Sequence, residues 1–163
     1  MVETVLRRLS IVVAVLGGAV VLSVIAMSLV SLLGRKLWSA PIPGDIEILE
    51  MAIAVAVASF MPLCELRDNH IRVDLIAGLL PAGVNRVLLS LSHLLLALVA
   101  ALLIWRTGLL TLDSHEYGAT STMLAVPLWI PQMLMLPGLA LLCACALYQA
   151  ARSLTSKPLR VPS

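Results

Sequence analysis

The chain alternates long apolar runs with short polar connections, and the runs share one length scale. Leu9 to Leu33, Ile46 to Leu66, Val87 to Trp105 and Val126 to Tyr148 are each close to the ~20 residues that carry a helix across a ~30 Å hydrocarbon core. The pattern predicts an all-α integral membrane protein with four transmembrane helices, about 9–33, 46–66, 87–105 and 126–148, in a single membrane domain over 1–163. Arg7 and Arg8 precede the first run as they would in a secretory signal, but the run continues well past the usual ~7–15 residues and is followed by Arg35 and Lys36; a retained helix is expected.

The connection between the second and third runs has its own periodicity. Ile71, Leu75, Ile76, Leu79 and Leu80 fall on one face at helical spacing, Asp68 or Asn69 is placed to cap, and Pro81-Ala82-Gly83 ends the pattern. A short interfacial helix at about 69–80, lying on the cytoplasmic leaflet, is expected.

Composition narrows the function classes. Hydrophobic residues make up 61% and charged residues 12%, against about 45–50% and 25% in soluble domains, which excludes a water-soluble enzyme. The connections are shorter than the ~50 residues of the smallest usual domain. Function must therefore sit in the helices, at their ends, or in a partner.

The charges are distributed unevenly. Arg7, Arg8, Arg67, Arg72, Arg86, Arg152, Lys157 and Arg160 fall on one side of the predicted spans, and only Arg35, Lys36 and Arg106 on the other. The positive-inside rule places both termini and the middle loop in the cytoplasm, with Trp38, Trp105 and Trp129 as an aromatic belt at the opposite interface. A net charge of +2 explained by this asymmetry gives no reason to expect nucleic acid. Cys64, Cys143 and Cys145 read as small thiols inside the spans.

No Asp, Glu, Lys or Arg lies at the centre of a predicted helix, where ionisable groups usually mark ion or substrate paths. His93 reads as the deepest titratable side chain, an inter-helix hydrogen-bonding residue near Ser90 and Ser92. A haem would need a second histidine opposite it, so no cofactor is expected in this chain and no catalytic or metal site is assigned. Small residues four apart, Ala14 with Gly18, Ala52 with Ala56, Ala54 with Ala58 and Ala140 with Ala144 among them, allow close helix approach.

Polar residues gather at three helix boundaries. Asp45, Glu47 and Glu50 open the second helix after Pro41-Ile42-Pro43-Gly44. Without Glu50 the apolar run from Met51 to Cys64 is only about 21 Å long, so Glu50 belongs inside the helix near the outer interface; Arg35 is its natural counter-charge, although acids in a first turn are favoured by the helix dipole alone, and that reading is preferred to a specific Arg35–Glu50 pair. The second boundary is the loop with His70, Arg72 and Asp74. The third is Thr120 to Pro131, where Pro127 and Pro131 suit a first turn or a broken entry, while Pro137 lies in a helix interior and is expected to free the Met133 carbonyl and kink the helix.

These features, in this order, resemble the small membrane subunit of tripartite ATP-independent periplasmic (TRAP) transporters, the DctQ-like family. The resemblance is carried by Arg35, Pro43 with Glu47 or Glu50, His70-Ile71-Arg72-Val73-Asp74-Leu75, Leu80-Pro81, Pro127-Leu128-Trp129 and Leu136-Pro137-Gly138. It implies a non-catalytic four-helix subunit of the bacterial inner membrane that scaffolds a large many-helix permease. In that family the large subunit carries the sodium and substrate sites, and a periplasmic binding protein delivers an organic acid. Arg35, Glu47, Glu50, His70, Arg72, Asp74, Pro127 and Pro137 then become candidate partner-interface or structural residues, and Asp113, His115, Glu116 and Tyr117 candidates for periplasmic docking. The alternatives are a stand-alone four-helix transporter or a structural membrane assembly factor.

Overall fold

The narrowest feature of the outer helices is also what organises the molecule. In the computed structural model, which describes residues 2–38, 43–67 and 82–155, α1 (Val2–Trp38) buries Ser10, Ala14, Gly17, Val24 and Ser31. Val21 and Ser28 are half-buried between them, so the inward stripe advances in alternating steps of three and four residues, the period of a coiled-coil seam. α2 is Asp45–Leu66, α3 Ala82–Glu116 and α4 Trp129–Thr155. On α3 the same stepping runs through Ser90, His93, Ala97, Ala100, Ile104, Thr107, Thr111 and Ser114.

α1 lies on α2, α2 on α4 and α4 on α3, while α1 and α4 touch only slightly. The order across the molecule is therefore α1, α2, α4, α3. Each outer helix uses one seam, and the two central helices use two. Much of the remaining surface of α1 and α3 is made of exposed large apolar side chains, from Val5 to Leu37 and from Val84 to Leu112. Lipid is as apolar as these side chains, so close contact between small residues, not hydrophobic burial, must hold the helices together.

All four helices are long and apolar enough to cross a membrane. Among the described residues there is no strand, only an isolated bridge between Thr120 and Pro127. α1 and α3, at 37 and 35 residues, extend over about 55 and 52 Å and continue well past the apolar runs 9–33 and 87–105. On α3 the extension is Arg106 to Glu116, which the seam residues Thr107, Thr111 and Ser114 keep against its neighbour. α4 begins at Trp129, so Val126, Pro127 and Leu128 belong to the loop before it. The interfacial helix expected at 69–80 lies outside the described residues, as do His70, Arg72 and Asp74.

The aromatic belt is not level. His115 and Trp129 meet edge to face at 5.5 Å, whereas Trp105 is about 15 Å further back along α3. Among the small-residue rows, Ala52, Ala56 and Ala58 are buried, while Ala140 and Ala144 are exposed and Gly17, not Gly18, is the buried glycine of α1. Cys145 is buried and Cys64 exposed.

Two glycines set how closely the helices approach. A Cβ on Gly17 would come within 2.7 Å of the Ser59 Cβ, and one on Gly138 within 2.5 Å of the Ala58 carbonyl oxygen. Pro62, buried inside α2, explains why that carbonyl is free to face α4. A proline four residues on has no N–H to donate to it, and the Gly138 Cα approaches it in place of a side chain.

Candidate functional site

Two polar clusters close the ends of this four-helix layer. The first is at the end where α2 begins and α3 finishes. Gly44 precedes α2 in a left-handed conformation (φ 75°), and its missing side chain leaves room for Leu124, whose Cγ would lie 2.5 Å from a Cβ there. The loop carrying Leu124 folds back on itself. The Ser121 amide donates to the Val126 carbonyl at 2.9 Å and the Leu128 amide to the Ala119 carbonyl at 3.0 Å, with Ala125 at positive φ between them.

The Glu47 carboxylate closes this loop. It accepts from the Ser121 hydroxyl at 2.7 Å, the Thr122 hydroxyl at 2.5 Å, and the Met123 and Leu124 amides at 3.0 and 3.2 Å. Four donors converge on one carboxylate in the first turn of α2, where the helix dipole also favours an anion. Glu47 is therefore the latch between α2 and the loop that leads into α4.

Asp45 links the same end to α1. It accepts from the Ser31 hydroxyl at 2.6 Å and lies 3.8 Å from the Arg35 guanidinium. The counter-charge of Arg35 is thus Asp45 and not Glu50. Helical geometry gives the reason: Asp45 is at the first position of α2, level with the last turns of α1, whereas Glu50 is more than a turn further along and exposed. Glu50 makes no hydrogen bond or ion pair among the described residues.

The second cluster is at the opposite end. Glu65 of α2 is completely buried, and its Oε1 lies 2.6 Å from Nδ1 of His93 on α3. The Gln149 side-chain amide of α4 donates to the Glu65 carbonyl at 3.4 Å, and the Ser90 hydroxyl of α3 to the Ala150 carbonyl at 3.3 Å. Three helices are joined here by buried polar groups. His93 is an inter-helix residue as its sequence context suggests, and its partner is Glu65, a buried acid near the end of α2 that hydropathy does not single out. Glu65 could have been found from spacing, since it continues the buried positions Ala58 and Pro62.

At the same end Glu3 of α1 accepts from the Tyr148 hydroxyl at 3.1 Å and the Arg152 guanidinium at 3.3 Å. The remaining candidates are dispersed. Asp113, His115 and Glu116 are exposed on the last turns of α3, next to exposed Tyr117. Pro127 is in the loop bridge, and Pro137 lies inside an α4 that continues as helix through it. Among the described residues no group of three or more His, Cys, Asp or Glu side chains is arranged to hold a metal ion.

The fold and its polar ends define a multi-pass membrane protein whose buried polar groups join its own helices. Residues 24–156 match the family model described as tripartite ATP-independent periplasmic transporters, DctQ component. That is most of the chain, and the protein belongs to this family, the small permease component of TRAP transporters. No curated protein and no solved structure gives a significant match.

Proposed function

We propose that this subunit is a non-catalytic scaffold that holds the large permease subunit in the bilayer for sodium-coupled uptake of an organic acid delivered by a periplasmic binding protein. The observation that supports it is the unequal use of helix surface. α1 and α3 each give one narrow seam to their neighbours and leave long apolar faces uncovered, while the buried acid, histidine and amide are engaged in helix-to-helix contacts. A layer braced in this way supplies a fixed surface to a partner that moves.

Sodium, on this reading, is bound by the large subunit and not by this chain. Both termini face the cytoplasm of a bacterial inner-membrane protein, as the charge asymmetry supports. Family resemblance assigns His70, Arg72 and Asp74 to contact with the large subunit, and the exposed Asp113, His115, Glu116 and Tyr117 to the docking side of the binding protein.

Reconstitution tests the proposal. Liposomes holding the large subunit with this chain and the binding protein should take up substrate along a sodium gradient, and liposomes holding this chain alone should not. Uptake by this chain alone would establish the stand-alone transporter instead. Full uptake by the large subunit without this chain would remove the scaffold role. Alanine at Arg72 or Asp74 should reduce co-purification of the large subunit. Charge reversal at Asp113 and Glu116 should slow uptake and leave the membrane complex intact.

A further inference from the structure

A small cleft of about 40 Å³ opens at the end of the layer where α1 starts and α2 and α4 finish. Arg7 of α1, Arg67 just past the end of α2 and Arg152 of α4 line it, together with Glu3, Tyr148 and Leu63. Among the described residues that line it, the charges do not cancel. Arg152 is engaged with the Glu3 carboxylate at 3.3 Å, and among the described residues Arg7 and Arg67 have no ion-pair partner. Two guanidiniums are left facing a cleft that also carries a phenol hydroxyl.

Its height in the molecule identifies what such a cleft can hold. Arg7 stands just before the apolar run of α1, Arg67 and Arg152 just after the apolar parts of α2 and α4, so the three guanidiniums mark the edge of the hydrocarbon layer. One turn deeper, the surface becomes apolar and open: Ile11, four residues beyond Arg7, is 38% exposed, and Ala144, four residues before Tyr148, is exposed and small. The exposed Ala144 has no use in holding α4 to α2 or α3. We propose that this cleft binds the phosphate of an anionic phospholipid, with Arg7 and Arg67 as its charge partners and an acyl chain lying along Ile11 and Ala144.

Guanidinium forks fit phosphate oxygens in a two-point geometry, and basic pockets between helices at the cytoplasmic side are suited to acidic head groups. A zwitterionic head group brings its own cation into a cleft that already has a surplus of two, so charge favours a lipid such as phosphatidylglycerol.

Native mass spectrometry of the full chain released from detergent, with phosphatidylglycerol and phosphatidylcholine offered together, tests the site. The wild-type chain should retain phosphatidylglycerol preferentially. Arg7→Gln combined with Arg67→Gln should weaken that preference roughly thirtyfold, from two surface charges, while Arg106→Gln at the other end should leave it unchanged. Equal retention of both lipids by the wild-type chain, a comparison that needs no variant to fold, overturns the proposal. So does an unaltered preference in the double variant. Displacement of the lipid by millimolar inorganic phosphate would make this a site for free anions, and loss of the lipid on assembly with the large subunit would make a protein carboxylate the occupant. Either result also overturns it.

Discussion

His93 of α3 and Glu65 of α2 face each other at 2.6 Å in the interior of the helix layer, with 8% and 0% of their side chains exposed. Each side chain loses a short buried contact when the other is removed, and a contact shielded from water is felt at close to full strength. His93→Leu is therefore expected to destabilise the protein by about 1–3 kcal/mol, and Glu65→Leu with His93→Leu by less than the sum of the two single changes. Thermal unfolding of the four members of the double-mutant cycle in detergent measures both. Additive losses would show that the two side chains are not coupled.

Glu47 gathers four donors from a loop distant in sequence, so its loss should be read in that loop. Glu47→Ala is expected to speed amide hydrogen exchange at Met123 and Leu124 by about ten- to a hundredfold, since hydrogen bonds to a charged acceptor are worth ~1.5–3 kcal/mol each. Glu47→Gln should fall between, because an amide has one acceptor oxygen where the carboxylate has two. Glu50→Gln, at an exposed position without a partner among the described residues, should leave the same amides unchanged.

Besides the adjacent Ile46 amide, Asp45 has two side-chain partners of unequal worth. The Arg35 guanidinium is 59% exposed and 3.8 Å away, and such pairs contribute about 0–1 kcal/mol and are screened by salt. Ser31 is fully buried and donates at 2.6 Å, a bond to a charged acceptor worth about 1.5–3 kcal/mol. Ser31→Ala should accordingly lower stability more than Arg35→Gln. Thermal unfolding at low and high salt should show the Arg35→Gln difference vanishing and the Ser31→Ala difference persisting.

The four spans were legible because hydropathy alone marks them, and the family was legible from motifs spread along most of the chain. The helix ends were not. Arg106 and the residues after it look like a polar connection, yet Thr107, Thr111 and Ser114 extend the α3 seam; a polar seam is invisible to hydropathy and visible only to spacing. Glu47 and the Thr120–Leu124 stretch were each noticed separately, but their union is a contact between segments more than 70 residues apart, which no local pattern encodes. Glu65 was overlooked because it adjoins Arg67 and reads as a boundary charge, while three-dimensional packing turns it inward. The partner of Arg35 was hidden for a similar reason: the length of the connection between α1 and α2 decides which acid is level with Arg35, and that acid is Asp45 and not Glu50.

The closest approach of α2 and α4 depends on a proline in one helix and a glycine in the other. Pro62 leaves the Ala58 carbonyl without its usual donor, and Gly138 brings its Cα to that carbonyl, where a Cβ would lie 2.5 Å from the oxygen. A methyl group there cannot be accommodated by rotating a side chain, because the obstacle is backbone. Gly138→Ala must push the two central helices apart and disturb both seams that meet on them, at a cost of about 1–3 kcal/mol typical of overpacking. Gly108 on α3 offers the internal comparison: a Cβ there meets nothing within 4 Å, and alanine should instead favour the helix by roughly 0.5–1 kcal/mol. The two substitutions are chemically identical and should shift the thermal midpoint in opposite directions. Equal shifts would mean that α2 and α4 are not in contact at Gly138, and the arrangement of the central helix pair would have to be redrawn.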